Sequence, residues 1–362
     1  MSRHWRRAVT VGLAAVVASA GQTGSRPRLM AAGEGAAHAP ARLSETGLYV
    51  QGRIGVVDER NRQFSPQYPL WSDGAIKTRW VFLPPGETID ARDDAAWEFP
   101  VGTRFWKEFS FDGRKVETRM LWKASPSQWV TASYRWNDVQ SDAVLVSDRG
   151  EPDVVPLTPT RRHSIPSASD CLTCHGARRT EPLGFNALQL STDRDPGAIH
   201  GEALPVGALT LRTLVDQRLV LPRRTDLVDA PPRIRSASPQ TRSMLGYLAA
   251  NCGSCHRGDG QIATRLPSLK YSDLLHDGDA MAASLVGRAT AWQVPGAPEG
   301  SSVLIDHEAP GTSAMLVRMR SRSPSSQMPP LGTVLRDQTA IDALTQWITG
   351  DLAALRRSRN EK

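Results

Sequence analysis

The sequence predicts a multidomain α+β chain in which an all-β sandwich or barrel-like domain precedes a mainly α region. Three observations predict it. Alternating apolar and polar residues, broken by turn signals, recur at short intervals over residues 46–150. Pro152, Pro156, Pro159 and Pro166 then punctuate a linker. Beyond it strand signals thin out, and short helical periodicities separated by long loops take over.

In chain order, residues 1–20 read as a secretory signal peptide. Arg3, Arg6 and Arg7 form its positive end, residues 8–17 its apolar stretch, and Ala18-Ser19-Ala20 the small residues before cleavage at Gly21. The apolar stretch is shorter than the roughly 20 residues that span a bilayer, and no later segment reads as transmembrane. The expected mature protein is exported, soluble and periplasmic. Residues 21–45, rich in Ala, Gly and Pro, read as a flexible lead-in. In the all-β domain, 46–150, strands are expected at 78–83, 105–111, 116–122, 129–136 and 143–146, with Asp112-Gly113 as a hairpin turn. Seven of the ten tryptophans lie there: Trp71, Trp80, Trp97, Trp106, Trp122, Trp129 and Trp136. They read as core and cross-strand fillers rather than as a ligand-binding face.

At 40% hydrophobic and 22% charged residues, the composition excludes global disorder. The formal net charge of +7 includes Arg3, Arg6 and Arg7, and the excess is too diffuse to indicate nucleic-acid binding.

The four cysteines carry the chemistry. They fall in Cys171-Leu172-Thr173-Cys174-His175 and Cys252-Gly253-Ser254-Cys255-His256, two CxxCH motifs that use every cysteine of the chain. Cysteines at i and i+3 share one side of a helical turn. There their sulfurs can add to the two vinyl groups on one porphyrin edge, while the following His binds iron. A zinc site built from two CxxC pairs expects about 15–20 residues between them; Cys174 and Cys252 lie much further apart. Two disulfides would leave a His after each pair unexplained, and a thioredoxin-like CxxC needs a βαβ context that precedes neither motif. The expected cofactors are two covalently attached c-type haems, with Cys171, Cys174, Cys252 and Cys255 as anchors and His175 and His256 as proximal iron ligands.

A first haem module is expected over 151–238 and a second over 239–356. In the second, 241–251 reads as a helix with Leu245, Leu248 and Ala249 on one face, running into the motif. Asp337 caps a terminal helix in which Ala340, Ile341, Leu344, Trp347, Ile348, Leu352 and Leu355 recur at helical spacing. Between the two, Met328 in Gln327-Met328-Pro329-Pro330 is the expected distal ligand. The prolines remove backbone freedom, so less entropy is lost in holding its sulfur to iron, and Met ligation raises the potential. Met315 and Met319, at helical spacing, are expected in the core, as is Met244. The first haem has no such clear partner: His163, His200 and Met120 are candidates, and a vacant position stays open. Arg318, Arg320 and Arg322, with Arg257, read either as charge that steers an acidic redox partner or as an ordinary helix end and loop.

With these motifs the chain resembles the bacterial diheme c-type cytochrome family in which an all-β N-terminal domain precedes two CxxCH haem modules. Besides the haem motifs, the resemblance rests on Pro69-Leu70-Trp71-Ser72-Asp73, residues 79–86, Phe99-Pro100-Val101-Gly102-Thr103 and Ser133-Tyr134-Arg135-Trp136-Asn137-Asp138. Ile165-Pro166-Ser167, Leu183-Gly184-Phe185-Asn186 and Met328-Pro329-Pro330-Leu331-Gly332 extend it, so that it spans residues 46–356. Gly74-Ala75-Ile76-Lys77 departs from the family pattern, which is more aromatic or His-bearing there. The resemblance implies that the α region is cytochrome c-like, with the helix before the second motif crossing the terminal helix at a small residue, Gly246 against Trp347. It also implies haem binding and electron transfer.

The function expected is that of an exported diheme c-type cytochrome passing electrons between redox partners. The alternative is a peroxidase-like diheme oxidoreductase with an open coordination position at the first haem. A third reading, capture of a ligand by the Trp-rich domain, requires exposed tryptophans in a concave patch.

Overall fold

The computed structural model describes residues 37–93, 97–175, 182–256, 268–269 and 271–354. The expected signal peptide, most of the lead-in, Arg257 and Leu355 lie outside them. After a 3₁₀ turn at Leu43–Glu45 come strands β1 (Arg62–Phe64), β2 (Ile76–Phe82), β3 (Ile89–Asp90), β4 (Arg104–Phe111), β5 (Arg114–Lys123), β6 (Trp129–Trp136) and β7 (Ala143–Leu145). All except β3 form one antiparallel sheet of six strands in the order β1-β2-β4-β5-β6-β7. At the β4–β5 turn Asp112 (φ 48°) and Gly113 (φ 76°) both take the left-handed conformation. That is the geometry whose twist matches the flanking strands of a two-residue hairpin.

The sheet is open, and the sandwich or barrel expected from the sequence is not formed among the described residues. Its faces are covered by other parts of the chain. On one face Trp80, Trp106, Met120 and Ala132 stand in register across β2, β4, β5 and β6. Together with Tyr134 and Trp136 they pack against Leu43, Leu48 and Tyr49 from the segment before β1. On the other face Val81 and Phe105 join Phe64, Phe99, Phe185, Leu209, Leu211 and Leu214, with the Phe64 and Phe185 ring centroids 4.9 Å apart, edge to face. Trp80, Trp97, Trp106 and Trp136 are buried and Trp71, Trp122 and Trp129 half-buried, so among the described residues this domain shows no exposed tryptophan patch for ligand capture.

Residues 151–165, read from their prolines as a linker, form a hairpin of β8 (Glu151–Thr158) and β9 (Arg161–Ile165). Two-stranded ribbons have only edges, and edge strands with register shifts are where proline fits a sheet. Its exposed residues gave the sequence no apolar alternation to read.

The remaining chain carries α1 (Ala168–His175), α2 (Leu211–Asp216), β10 (Val220–Leu221, parallel to β3), α3 (Asp226–Asp229), α4 (Pro239–Asn251), α5 (Tyr271–His276), α6 (Gly278–Leu285), α7 (Ala314–Arg320) and α8 (Gln338–Trp347), which runs into a π turn at Ile348–Leu352. The expectation of a mainly α cytochrome c-like region is overturned. Helix accounts for about 25% and strand for 22%, and the large antiparallel sheet makes the chain mainly β. The helical periodicities of α4 and α8 are present, but Gly and Pro break what lies between. Residues 286–309, for example, hold Gly287, Pro295, Gly296, Pro298 and Gly300 and form loops tied by the bridges Val286↔Ile305 and Ala289↔Val303. Among the described residues no helix is long and apolar enough to cross a membrane.

The halves are stitched together. Tyr68, between β1 and β2, is buried in the C-terminal core with Met244, Leu245, Leu248, Ile341, Leu344 and Trp347. A Cβ on Gly246 would lie 2.2 Å from the Tyr68 ring. The small residue expected to face Trp347 therefore faces Tyr68, while Trp347 donates its indole N–H to Thr241 Oγ1 at 2.8 Å.

Candidate functional site

The second CxxCH motif is wound on the end of α4. Ser238 starts that helix by accepting the Thr241 amide, and Pro239 occupies its first turn, where no amide partner is lost. Past Asn251 the turn continues. The Cys252 amide donates to Leu248 O (2.8 Å), and both Cys255 N (3.1 Å) and His256 N (2.9 Å) donate to Cys252 O. A Cβ on Gly253 would lie 2.4 Å from Ala249 O and 2.9 Å from Leu269 O, so the backbone at this position admits only glycine. Asn251 anchors the turn to the N-terminal half by accepting the Trp71 amide at 2.8 Å.

The first motif lies on α1. Ser167 and Asp170 cap it reciprocally: Asp170 Oδ2 accepts from Ser167 N (3.0 Å) and Oγ (2.7 Å), and Asp170 N donates back to Ser167 Oγ (3.1 Å). Cys171 and Cys174 follow one turn apart, half-buried. Burial pushes the Cys171 thiol up, although Arg119 opposes it. Burial, then Cys255, pushes Cys252 up to about 12.

The structure brings the two motifs into contact. Cys174 lies close enough to Cys255 that this neighbour, ahead of burial, raises its pKa. Cys255 Sγ also donates to Thr173 O at 3.9 Å. Nothing in either pentapeptide signals this meeting. None of the four cysteines is joined in a disulfide. Among the described residues no three or more His, Cys, Asp or Glu side chains are gathered to hold a metal ion. A c-type haem asks for less, one imidazole for the iron and two thiols for the porphyrin edge.

The residues of the second motif fit that demand. The His256 Nδ1 is buried without a hydrogen-bond partner among the described residues. Burial, then the charge of Arg318, lowers the His256 pKa, which keeps its imidazole neutral as an iron ligand must be. Met328 is half-buried and lines a small cavity with Trp71, Tyr247, Met319 and Ile341. Its amide donates to Arg318 O at 3.0 Å, so Met328 and His256 share Arg318 as a neighbour. Met319 and Met244 are buried in the C-terminal core, with Met315 packed against it.

Each residue named as a candidate distal ligand for a haem at the first motif is committed elsewhere. Met120 is 2% exposed within the sheet core. His200 points Nε2 at both carboxylate oxygens of Asp337, 2.9 Å from each; Asp337 also accepts from Tyr247 Oη and caps α8. His163 is buried, with Nε2 3.1 Å from Glu117 Oε1 and Nδ1 3.8 Å from Asp73 Oδ2. Burial opposes a charge on this ring, but Asp73 and Glu117 outweigh it and raise its pKa. Burial likewise works against Glu117, yet Arg119 and His163 hold its carboxyl at about 2.

The basic cluster is partly folded inward. Arg318 donates Nε to Ser326 O (3.0 Å) and lies over the Trp292 ring (5.2 Å), and Arg322 donates to Leu335 O. Arg320 is exposed and donates to Thr345 Oγ1 at 3.4 Å. Sequence reasoning missed Arg119 and Glu117, and gave Asp73 and Arg318 no part in these contacts, because the contacts join distant segments. Comparison with known proteins finds no family model, no curated protein and no solved structure that matches this chain.

Proposed function

We propose that this chain is an exported two-haem c-type cytochrome that passes electrons between redox partners in the periplasm. The observation that carries the reading is the contact between the two CxxCH motifs, where Cys255 Sγ meets Thr173 O beside Cys174. Groups anchored at touching attachment points are neighbours, which is what electron exchange between two centres requires. Cys171, Cys174, Cys252 and Cys255 are the thioether anchors, His175 and His256 the proximal ligands, and Met328 the distal ligand of the second centre. The haem supplies one-electron chemistry at iron. The chain fixes the anchors on α1 and on the turn past α4, keeps the His256 imidazole neutral by burial, and positions Met328 through its backbone bond to Arg318. The likeness to diheme cytochromes supports the same reading, and the exposed Arg320 suits an acidic partner.

Intact mass of the protein, produced in a host that matures c-type cytochromes, tests it. Two haem additions per chain and a reversible two-electron titration are expected. A polypeptide mass without prosthetic groups overturns it. A peroxidase-like reading is favoured by one observation: His163, His200 and Met120 are all engaged in other contacts. The ferric spectrum separates the two readings, because one high-spin centre indicates an open iron and two low-spin centres indicate a carrier.

A further inference from the structure

One face of the sheet carries a row of like charges. Arg79 on β2 is paired directly with Lys107 on β4, and Lys107 with Arg119 on β5. Residues opposite one another in antiparallel strands point to the same face, where like charges are destabilising. Lys77 belongs to the same face one step along the strand, across from Phe109 and Glu117. The carboxylates paired with the row are Glu202, 2.7 Å from Arg79, and Glu117, 2.5 Å from Arg119. Lys107 has no ion-pair or hydrogen-bond partner among the described residues; its ammonium lies 4.9 Å from the Phe109 ring centroid. Lys77 donates to Leu70 O at 2.7 Å. Four cations thus stand over two paired carboxylates on a half-buried surface, an arrangement that is unfavourable unless an anion completes it.

The row begins beside the first haem motif, since Arg119 is close enough to Cys171 and Cys174 to act electrostatically on both. From there it leads across two interstrand steps, about 10 Å, to Arg79. At that end a cavity of about 370 Å³ opens between Trp71, Ile76, Lys77, His200 and Glu202. A porphyrin bears its vinyl groups on one side and two propionates on another, so a haem anchored at cysteines presents two carboxylates away from them. Two negative charges match the uncompensated two positive ones. Burial, followed by Arg79, Lys77 and Arg119, pulls the Lys107 pKa well down in the absence of such a partner.

We infer that Lys107, flanked by Arg79 and Arg119 and with Lys77 beside it, is the seat of the two propionate carboxylates of the haem attached at Cys171 and Cys174. The inference rests on the two-haem reading above. It makes Lys107 a positioning residue that neutralises the propionates and so favours the ferrous state of that iron.

The test compares wild type with Lys107→Gln, Lys77→Gln and Lys107→Arg, each as the full chain matured with haem. Intact mass gives the haem count, and potentiometric titration gives the two midpoints. The expected result is two haems in every variant. In Lys107→Gln one midpoint falls by about 59 mV, a tenfold change in a one-electron equilibrium, while the other stays. Lys77→Gln shifts the same midpoint in the same direction, Lys107→Arg restores it, and added phosphate moves neither wild-type midpoint. Two haems with both midpoints unchanged in Lys107→Gln and Lys77→Gln overturn the inference and leave the two-haem reading standing. A wild-type midpoint that moves with phosphate also overturns it, because the row would then hold a free anion. Wild type without haem overturns the underlying reading instead.

Discussion

Gly253 shows how one residue shapes the site. Its missing side chain lets the CxxCH turn approach Ala249 O and Leu269 O. Gly253→Ala forces backbone apart at the point of attachment, at a cost of about 1–3 kcal/mol. We expect a lowered thermal midpoint and, on the proposed two-haem reading, one haem per chain instead of two, read by calorimetry and mass. The Asp73–His163–Glu117 cluster sets a pH window. His163, whose pKa is raised, contributes stability that is complete below its unfolded value of about 6.5 and is lost as pH rises through the folded value. Glu117, held at about 2, contributes stability that is complete above about 4.3 and is lost as pH falls toward 2. Stability should therefore peak near pH 5–6, and His163→Asn should flatten the decline above pH 6.5 in urea titrations. A decline that persists unchanged in the variant would place the titrating group elsewhere.

At the scale of elements, legibility followed local physics. Strands β4, β5 and β6 were readable because each alternates between two buried environments, and Asp112-Gly113 fixes their turn. Helix α4 was readable from Leu245, Leu248 and Ala249 on one face and α8 from Asp337, which caps it as the sequence suggests, while the Ser238-Pro239 start of α4 went unread. Ser238→Ala should cost about 1 kcal/mol of cap, measured as a shift in the urea midpoint without a change in slope. The β8–β9 hairpin was illegible because its prolines, counted as breakers, sit harmlessly in a ribbon with no interior strand. Extrapolating α4 and α8 into a mainly α region failed because two periodic segments say nothing of the loops between them.

At the scale of the whole molecule, the site depends on contacts no local pattern encodes. The two CxxCH pentapeptides were each legible as sequence, yet their meeting was not, since it depends on how α1 and the end of α4 are carried by different segments. The same holds for Gly246, whose partner Tyr68 comes from the other half of the chain. Gly246→Ala should destabilise strongly, and Tyr68→Ala should cost about 3–5 kcal/mol, as for other large aromatics. Because the two touch, the double variant should lose less than the sum of the singles; strict additivity would contradict the contact. The nearness of Cys174 to Cys255 has a further consequence for biogenesis. In an oxidising compartment neighbouring thiols are prone to couple, and such a bond would consume one anchor from each pentapeptide at once. Polypeptide made without haem and treated with a mild oxidant should run faster on a non-reducing gel, and Cys255→Ser should abolish that shift. On the proposed two-haem reading, loading the porphyrins is a race against a crosslink that the fold itself invites.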